Sequence, residues 1–539
     1  MKSRAEVTQS LDGKLFDVLV IGGGINGSVS ALSLSSKGVS TLLIDKGDFA
    51  SETSQQSSSL AWGGIKYLES GEFSLVWQLC HSRNELMRFF PSQVKEIRFF
   101  TKLEKGFRKP RFFIFLGTLV YWLMGRFMMR APRLLSQQVI SNDEPVVDVK
   151  NCQGGVEYSD CYFVDTDTRF VFNLIKQAAK QGAKAANYLE ATKLSRTSDG
   201  IWDVDILDRM DLDAKTYKVR AKAIVNAAGP FADTLNASSG VTTKYRHVFS
   251  KGVHLIVPKI TDSKRVLTFF ADDGRMFFVI PMGECSCIGT TDTRVEMLPA
   301  VVTPEDRDFI LSNINKRLTL EKPLTLSDVI SERCGVRPLA VEHRPDKVKG
   351  DASSADWMSL SRKHVLESDD AKCLISIFGG KLTDCLNVGR EVSETIAGMG
   401  IGKGHSESVG QPFWEDLALK ETFAQRAKGL GLAADAIERI WRRFQGDAFH
   451  ILDDYQNDKS LMQVITSDYP LTWAELLFAA RDEMVMNLSD LLRRRTNIEQ
   501  DMAIKSPALR PLLLEIAQRV YGDEKNAAEK AVHDYLKQS

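Results

Sequence analysis

The first hydrophobic run of the chain, residues 16–21, leads directly into a glycine-rich segment, residues 22–27, and then into a Ser/Ala/Leu-rich stretch. This order predicts a buried β-strand, a tight turn and an α-helix. A second apolar run, residues 40–44, predicts a strand that ends at Asp45. Two later apolar runs also predict strands, and each leads into a turn of small residues, at Ala228 and Gly229 and at Gly379 and Gly380.

The glycine-rich segment predicts a dinucleotide site. Gly22 and Gly24 allow the backbone to approach a pyrophosphate, and Gly27 allows the next helix to pack closely on the sheet. The helix N-terminus then faces the phosphates, and Asp45 can accept hydrogen bonds from a ribose. A glycine turn with a purely structural role is the alternative, but the order of strand, turn, helix, strand and acid favours the site. Junctions spread from Gly22 to Gly380 suit FAD, which is long, better than NAD.

Eight motifs in order resemble those of the FAD-dependent glycerol-3-phosphate dehydrogenases, over roughly residues 16–497. The stretches that carry the resemblance are residues 22–27, 63–69, 157–161, 226–230, 251–254, 288–292, 335–339 and 378–383. The resemblance implies an α/β + α fold. Its parts are a Rossmann-like FAD-binding domain of the glutathione-reductase or D-amino-acid-oxidase type, a β-sheet substrate domain and an all-α C-terminal domain.

The positions of these motifs predict the domain boundaries. Residues 14–75, 160–240 and 345–405 should form one discontinuous FAD-binding domain, and residues 76–159 and 241–344 the substrate domain. A helical C-terminal domain should cover residues 408–539. Within it, Thr472 and Glu475 have the spacing of a capping box that opens a helix.

The resemblance implies oxidation of sn-glycerol 3-phosphate to dihydroxyacetone phosphate, with hydride transfer from C2 to flavin N5 and electrons passed to a quinone. Arg337 and Arg362 match the substrate-binding arginines of the family, and a guanidinium suits a phosphate. Lys381, at the start of a helix, suits a reduced flavin or an anionic substrate. His254 is our candidate general base, because a neutral imidazole accepts a proton near pH 7. The remaining predicted site residues are Lys66 (catalytic), Tyr67 and Thr383 (substrate), and Ser54, Gly63, Gly64, Ala228, Gly229, Gly379, Gly380 and again Lys381 (cofactor).

The chain departs from the family pattern in the segment that should run under the flavin. The family usually shows Ser-Ser-Lys, His-Gly-Gly and Arg-Tyr-Leu-Glu there. This chain has Ser59, Trp62 and Lys66 in place of the lysine, the histidine and the arginine. We expect Trp62 to add an apolar plane beside the flavin. Glycerol 3-phosphate is the expected substrate, and another hydroxy compound or a slower reaction is the alternative.

Composition and charge argue against a nucleic-acid-binding protein, a cysteine-based metal site and a secreted protein. Lys and Arg total 70 and Asp and Glu total 70, and this zero net charge argues against nucleic acid as a partner. The eight cysteines show no C-x-x-C spacing, so we expect reduced thiols and no metal site. The first 14 residues are polar and contain no apolar core of a secretory signal, which predicts a cytoplasmic protein.

Residues 95–133 contain ten basic and two acidic residues, and within them residues 112–125 are uncharged and rich in aromatic side chains. Fourteen helical residues span about 21 Å, less than the hydrocarbon core of about 30 Å. The pattern favours a helix lying among lipid headgroups, and a buried core helix is the alternative. The resemblance adds peripheral attachment to the inner face of the membrane and a homodimer.

Two other functions compete with this one. The first is an FAD-dependent oxidase of an amine or amino acid, in which Arg337 would bind a carboxylate. The second is a membrane-surface protein that holds FAD without turnover.

Overall fold

The computed structural model describes residues 1–342, 363–402, 415–467, 469–522 and 525–537. Its strands, labelled in chain order, are β1 (Leu15–Ile21), β2 (Thr41–Ile44), β3 (Leu60–Ala61), β4 (Val94–Glu104), β5 (Arg133–Leu135), β6 (Cys152–Phe163), β7 (Lys184–Ala186), β8 (Leu189–Arg196), β9 (Trp202–Asp208), β10 (Thr216–Asn226), β11 (Tyr245–Pro258), β12 (Val266–Phe270), β13 (Met276–Met282), β14 (Cys285–Gly289), β15 (Thr293–Val295), β16 (Ser331–Glu342), β17 (Val365–Asp369), β18 (Leu374–Phe378), β19 (Val464–Thr466) and β20 (Tyr469–Thr472).

The α-helices of the described residues are α1 (Arg4–Thr8), α2 (Ile25–Ser36), α3 (Phe73–Phe89), α4 (Arg111–Met124), α5 (Gln137–Asp143), α6 (Asp167–Lys180), α7 (Ala232–Ser238), α8 (Pro304–Asn315), α9 (Cys385–Gly398), α10 (Leu417–Gly429), α11 (Ala434–Phe444), α12 (Ala448–Asn457), α13 (Trp473–Asp482), α14 (Ile498–Asp501), α15 (Arg510–Tyr521) and α16 (Lys525–Lys537). Short 3-10 turns at Thr53–Gln55, Ile65–Leu68 and Leu382–Asp384 and a π-helical turn at Asp490–Arg495 complete the elements that matter for the site.

The first sheet has a parallel centre. Its strand order is β17-β18-β10-β1-β2-β7, and β8 and β9 extend it beside β10. The register places Ile21 of β1 opposite Asn226 of β10 and Ile44 of β2, and Ser376 of β18 pairs with Asn226. Because parallel strands end at the same edge, the turns that follow β1, β2, β10 and β18 meet there.

The second sheet contains strand order β15-β11-β14-β13-β12-β4-β6-β3, with β16 beside β11 and β5 beside β6. The long strand β11 pairs antiparallel with β16, which places His254 opposite Arg333 and Ser250 opposite Arg337. The sheet also takes in β3 and the whole of β6, which runs to Phe163, three residues past our expected boundary at 160.

Helix α4 carries the exposed apolar part of the 95–133 segment. Residues 94–104 form β4 and are mostly buried in the second sheet. The exposed part of the predicted membrane-surface segment, residues 95–133, is therefore shorter than the sequence predicts. In α4 only Thr118 and Tyr121 are buried, whereas Phe112 and Phe113 are 68% and 54% exposed. The helix is therefore not a core helix. Among the described residues, no helix combines the length and the apolar character needed to cross a membrane.

The C-terminal region consists of α10–α16 with one short hairpin, β19–β20. The predicted capping box is confirmed: Thr472 and Glu475 satisfy each other's backbone N–H groups at the start of α13. Buried ion pairs attach this region to the FAD side. Asp48 accepts hydrogen bonds from Arg494 and Arg495. All eight cysteines are free thiols in the structure.

Candidate active site

A cavity of about 460 Å³ opens at the carboxyl ends of the first sheet's central strands. Eight of the predicted cofactor residues line it, although they come from distant parts of the sequence: Gly22, Gly24, Asp45, Ser54, Ala228, Gly229, Gly379 and Gly380. The aligned strand ends bring these residues together.

Two glycines show why the turn after β1 tolerates no side chain. Gly22 has a φ of +108°, and a Cβ there would collide with the backbone of Ala227. A Cβ on Gly27 would overlap the carbonyl oxygen of Gly22. Gly27 therefore lies behind the cavity wall and sets the contact between α2 and the strand, as its place in the motif predicts.

Asp45, which follows β2, lines this cavity. Its carboxylate accepts hydrogen bonds from the backbone N–H of Gly23 (2.6 Å) and of Gly47 (2.8 Å). Burial raises the pKa of Asp45 to about 7, against these two hydrogen bonds. Ser54 Oγ accepts from the N–H of Ile25 (3.1 Å) and ties the 3-10 turn to the start of α2.

A second cavity, of about 620 Å³, shares the lining residues Thr53, Pro338, Gly379 and Gly380 with the first, so the two cavities adjoin. The predicted catalytic and substrate residues of the described chain all line it: Lys66, Tyr67, His254, Arg337, Lys381 and Thr383. Arg362 lies outside the described residues.

Gly63 and Gly64 do not line either cavity. Gly63 packs against the Tyr121 hydroxyl, and its N–H donates to Asp160 Oδ1 (3.1 Å). Gly64 has a φ of +82° and begins the 3-10 turn that presents Lys66. These glycines shape the cavity wall from behind it. The motif alone does not distinguish this role from direct contact with the cofactor.

His254 is held neutral by its surroundings. The residue is 4% exposed, and burial, followed by the charges of Arg337 and Arg333, lowers the pKa of His254 to about 3. Its Nδ1 has no hydrogen-bond partner in the part of the chain that the structure describes. The imidazole is therefore unprotonated at physiological pH, and its low pKa makes it a weak base as long as the positive charges beside it are not offset.

Arg337 reaches the cavity from β16. Its guanidinium lies directly over Gly252, where any Cβ would overlap it. It donates weakly to Asp292 Oδ1 and to Thr290 Oγ1, each at 3.4 Å. The side chain is 30% exposed, so these contacts orient the guanidinium and leave it accessible to an anion.

Lys381 lines the same cavity. Its ammonium is 3.9 Å from the centre of the Tyr67 ring, a cation–π contact. The Tyr67 ring lies 5.9 Å from that of Trp62, and Thr383 Oγ1 donates to the backbone oxygen of Trp62 (3.0 Å). Trp62 itself lines the cavity, so this departure from the family pattern changes the wall of the site.

The larger cavity is net positive. Five basic residues line it, Lys66, Arg275, Arg337, Lys363 and Lys381, against three acidic ones, Glu69, Glu72 and Asp292. Sequence reasoning missed Arg275, Lys363 and Gln56 among the lining residues, because no motif marks them. Asp292 follows a recognisable motif, but nothing in its sequence distinguishes it from an ordinary turn residue.

Comparison with known proteins supports the assignment of the first cavity to a dinucleotide. A family model described as FAD dependent oxidoreductase matches residues 17–352, more than half of the chain. The chain belongs to this family. A second model, described as the C-terminal domain of alpha-glycerophosphate oxidase, matches residues 404–527. FAD is accordingly the cofactor, and the two adjoining cavities and the glycine turn fit a dinucleotide of that length.

Individual relatives extend over most of the chain. The mitochondrial glycerol-3-phosphate dehydrogenase of Schizosaccharomyces pombe is 28% identical over 90% of this chain and 81% of its own length. The aerobic glycerol-3-phosphate dehydrogenase of Staphylococcus epidermidis is 28% identical over 92% and 88%. The solved glycerol-3-phosphate dehydrogenase of Bacillus halodurans, complexed with FAD, superposes with a TM-score of 0.75 at 24% identity, over 99% and 97% of the two chains. It has the same fold.

Proposed function

We propose that this protein oxidises sn-glycerol 3-phosphate to dihydroxyacetone phosphate with FAD. One observation carries the proposal: a net positive cavity that adjoins the dinucleotide cavity is lined by a buried neutral imidazole, a partly exposed guanidinium and an ammonium. A phosphate dianion needs the cations, and a hydroxyl to be oxidised needs the base. The names of the relatives from Schizosaccharomyces pombe and Staphylococcus epidermidis point to the same substrate.

FAD, when bound, supplies the acceptor for the hydride that leaves C2. In this mechanism His254 accepts the C2 hydroxyl proton, and Arg337 and Lys381 hold the phosphate. The negative charge of the phosphate offsets the positive charge of Arg337, and Arg337 is one of the groups that lower the pKa of His254. Substrate binding therefore makes His254 a stronger base.

The proposal is tested by anaerobic reduction of the bound flavin, followed by its absorbance. Glycerol 3-phosphate should bleach the flavin, whereas glycerol at the same concentration should not. Arg337→Lys should raise the substrate concentration needed for half-maximal rate, and Arg337→Met should raise it further, because the bidentate donor and then the charge are lost.

For the base, His254→Gln should lower the maximal rate of flavin reduction, by about 100-fold or more, and leave the half-saturating concentration nearly unchanged. His450→Gln, at an exposed residue of α12, is the matched control. An unchanged maximal rate in His254→Gln would remove this residue as the base.

The presence of Trp62 on the wall supports a second candidate, an oxidoreductase of the same fold acting on another hydroxy or amino compound. The same anaerobic assay separates the two. A flavin that glycerol 3-phosphate leaves oxidised, but that a carboxylate-bearing hydroxy or amino acid reduces, would favour the second candidate.

Electron transfer to a membrane quinone would place α4 against lipid at the inner face of the cytoplasmic membrane. The exposed side chains of α4 and the residues beside it support this part of the proposal: Phe73, Trp77, Phe112, Phe113, Leu116, Leu123 and Phe127. Arg126, whose guanidinium lies 5.7 Å from the Trp77 ring, adds positive charge at the same surface.

Vesicle co-sedimentation tests the membrane contact. The double substitution Phe112→Ser and Phe113→Ser should weaken binding to vesicles that contain anionic lipid, whereas Leu212→Ser, at an isolated and fully exposed leucine, should not. Equal binding by both variants would refute a role for α4. Reoxidation of the reduced protein by a soluble quinone tests the acceptor, and light scattering at increasing concentration tests the proposed homodimer.

A further inference from the structure

Arg333 is a buried cation behind the segment that departs from the family pattern. It lies on β16, is 2% exposed, and does not line either cavity. Its Nη1 donates to the backbone oxygen of Ser57 (2.7 Å), and Ser57 itself lines the larger cavity. The guanidinium is therefore separated from the cavity by the thickness of one backbone segment.

The hydrogen bonds of Arg333 go to neutral acceptors. Besides the Ser57 oxygen, they are Oε1 of Gln500, from α14, and the sulfur of Met282 (3.2 Å), from β13. Nε has no partner among the described residues. Since no described carboxylate forms an ion pair with this guanidinium, its positive charge acts on the surroundings at longer range.

Five groups of the described chain near Arg333 respond to that charge, namely His254, Asp167, Cys287, Arg493 and Asp501, and the first two bear on the site. His254 is its direct cross-strand partner in the β11–β16 register, so the two side chains share one face of the sheet. Asp167, at the start of α6, is also buried, with Oδ1 unpartnered in the described structure. Burial raises the pKa of Asp167 to about 6, against hydrogen bonds from Ser57 and Ser59 and the charge of Arg333.

Ser59 is the position where the family pattern has a lysine. Here Ser59 lies close to Asp167, in the segment whose Ser57 backbone Arg333 holds. We propose that Arg333 is a positioning residue that supplies, from β16, the buried positive charge that the family motif supplies from position 59. It holds the Ser57 backbone in place and keeps the cavity wall electropositive.

The consequence is measurable on the bound cofactor without any substrate, so the test does not depend on the proposed activity. Because reduction adds negative charge, a positive charge behind the wall favours the reduced state. Arg333→Gln should lower the equilibrium constant for two-electron reduction by about tenfold, which is a shift of about 30 mV to more negative midpoint potential. The potential is measured by dye-coupled reductive titration of the purified holoprotein.

Relocating the charge tests the proposal more stringently. Ser59→Lys combined with Arg333→Gln should restore the wild-type potential, and Arg333→Lys should retain it. Arg98→Gln, at a buried arginine paired with Glu157 in the second sheet, controls for loss of a buried cation elsewhere and should leave the potential unchanged. A purely structural role for Arg333 would move the melting temperature but not produce this pattern.

Three results would overturn the inference. The first is a wild-type potential in Arg333→Gln, and the second is a double variant that keeps the shifted potential of the single one. If Arg333→Gln neither folds nor retains FAD, the double variant decides: recovery of flavin content and potential supports the relocated charge. A double variant that fails in the same way as the single one is the third result against it.

Discussion

Gly27→Ala should greatly reduce retention of FAD. The added Cβ would overlap the carbonyl oxygen of Gly22, far inside the 3.0 Å that real Cβ atoms keep from such neighbours. That oxygen cannot move aside easily. The Gly22 N–H donates to the Ile44 oxygen (2.8 Å), and a Cβ on Gly22 would itself meet the Ala227 backbone, so the turn is fixed between three strands.

The magnitude follows from this lack of freedom. Overpacking in a well-packed site costs about 1–3 kcal/mol, and a clash with backbone rather than a flexible side chain belongs at the upper end. If α2 shifts to relieve the clash, the cavity at the N-terminus of α2 changes shape and FAD binding is weakened. A cost of about 3 kcal/mol corresponds to FAD binding weaker by about 100-fold or more.

The assay is the ratio of flavin to protein absorbance after purification and dialysis. Gly117→Ala is the matched control, because Gly117 is also helical and a Cβ there meets nothing within 4 Å. It should retain full flavin and be neutral or slightly stabilising. Flavin content in Gly27→Ala equal to that of the control would refute the packing argument.

Three further predictions address the rest of the molecule. Gly252→Ala should displace the Arg337 guanidinium that lies over it and raise the half-saturating substrate concentration, as Arg337→Lys does, with little change in flavin content. Asp48→Asn should destabilise the protein by about 3–5 kcal/mol in thermal or urea unfolding, because it removes the ion-pair partner of the buried Arg495 guanidinium and leaves Arg494 with Asp490 alone, whereas Glu69→Gln at an exposed pair should cost less than about 1 kcal/mol. His254, with its pKa lowered to about 3 from 6.5, contributes stability that is fully present above pH 6.5 and is lost as the pH falls towards 3. Between pH 7 and pH 5 this loss is about 2 kcal/mol, so the free energy of unfolding should depend less steeply on pH in His254→Gln than in the wild type.

The FAD-binding cavity could be predicted from the sequence because each part of it is marked by a short stretch of neighbouring residues. Each strand of the first sheet shows as a short apolar run, and each is followed at once by the residues that line the cavity, such as Gly22, Asp45 and Gly379. Parallel strands end at one edge, so the order along the chain already implies the meeting point.

Contacts that depend on register could not be predicted in this way. Nothing in residues 331–342 indicates that β16 pairs with β11, and only that pairing sets Arg333 against His254. The same holds for Asp48, whose partners Arg494 and Arg495 lie more than 400 residues away. Contacts between distant parts of the chain depend on how whole strands and helices pack together. The pattern of residues within one segment does not encode that packing.

The segment around Ser59 shows what this difference means for function. In the linear pattern, replacement of a lysine by Ser59 is the loss of a positive charge under the flavin. In three dimensions the guanidinium of Arg333 lies behind the same segment, hydrogen-bonded to Ser57, and Asp167 lies close to both. The electrostatic potential at a site depends on where charges lie, not on which position of the sequence carries them. A motif that has lost a charged residue therefore indicates altered chemistry only after the surroundings of that position have been searched for the charge.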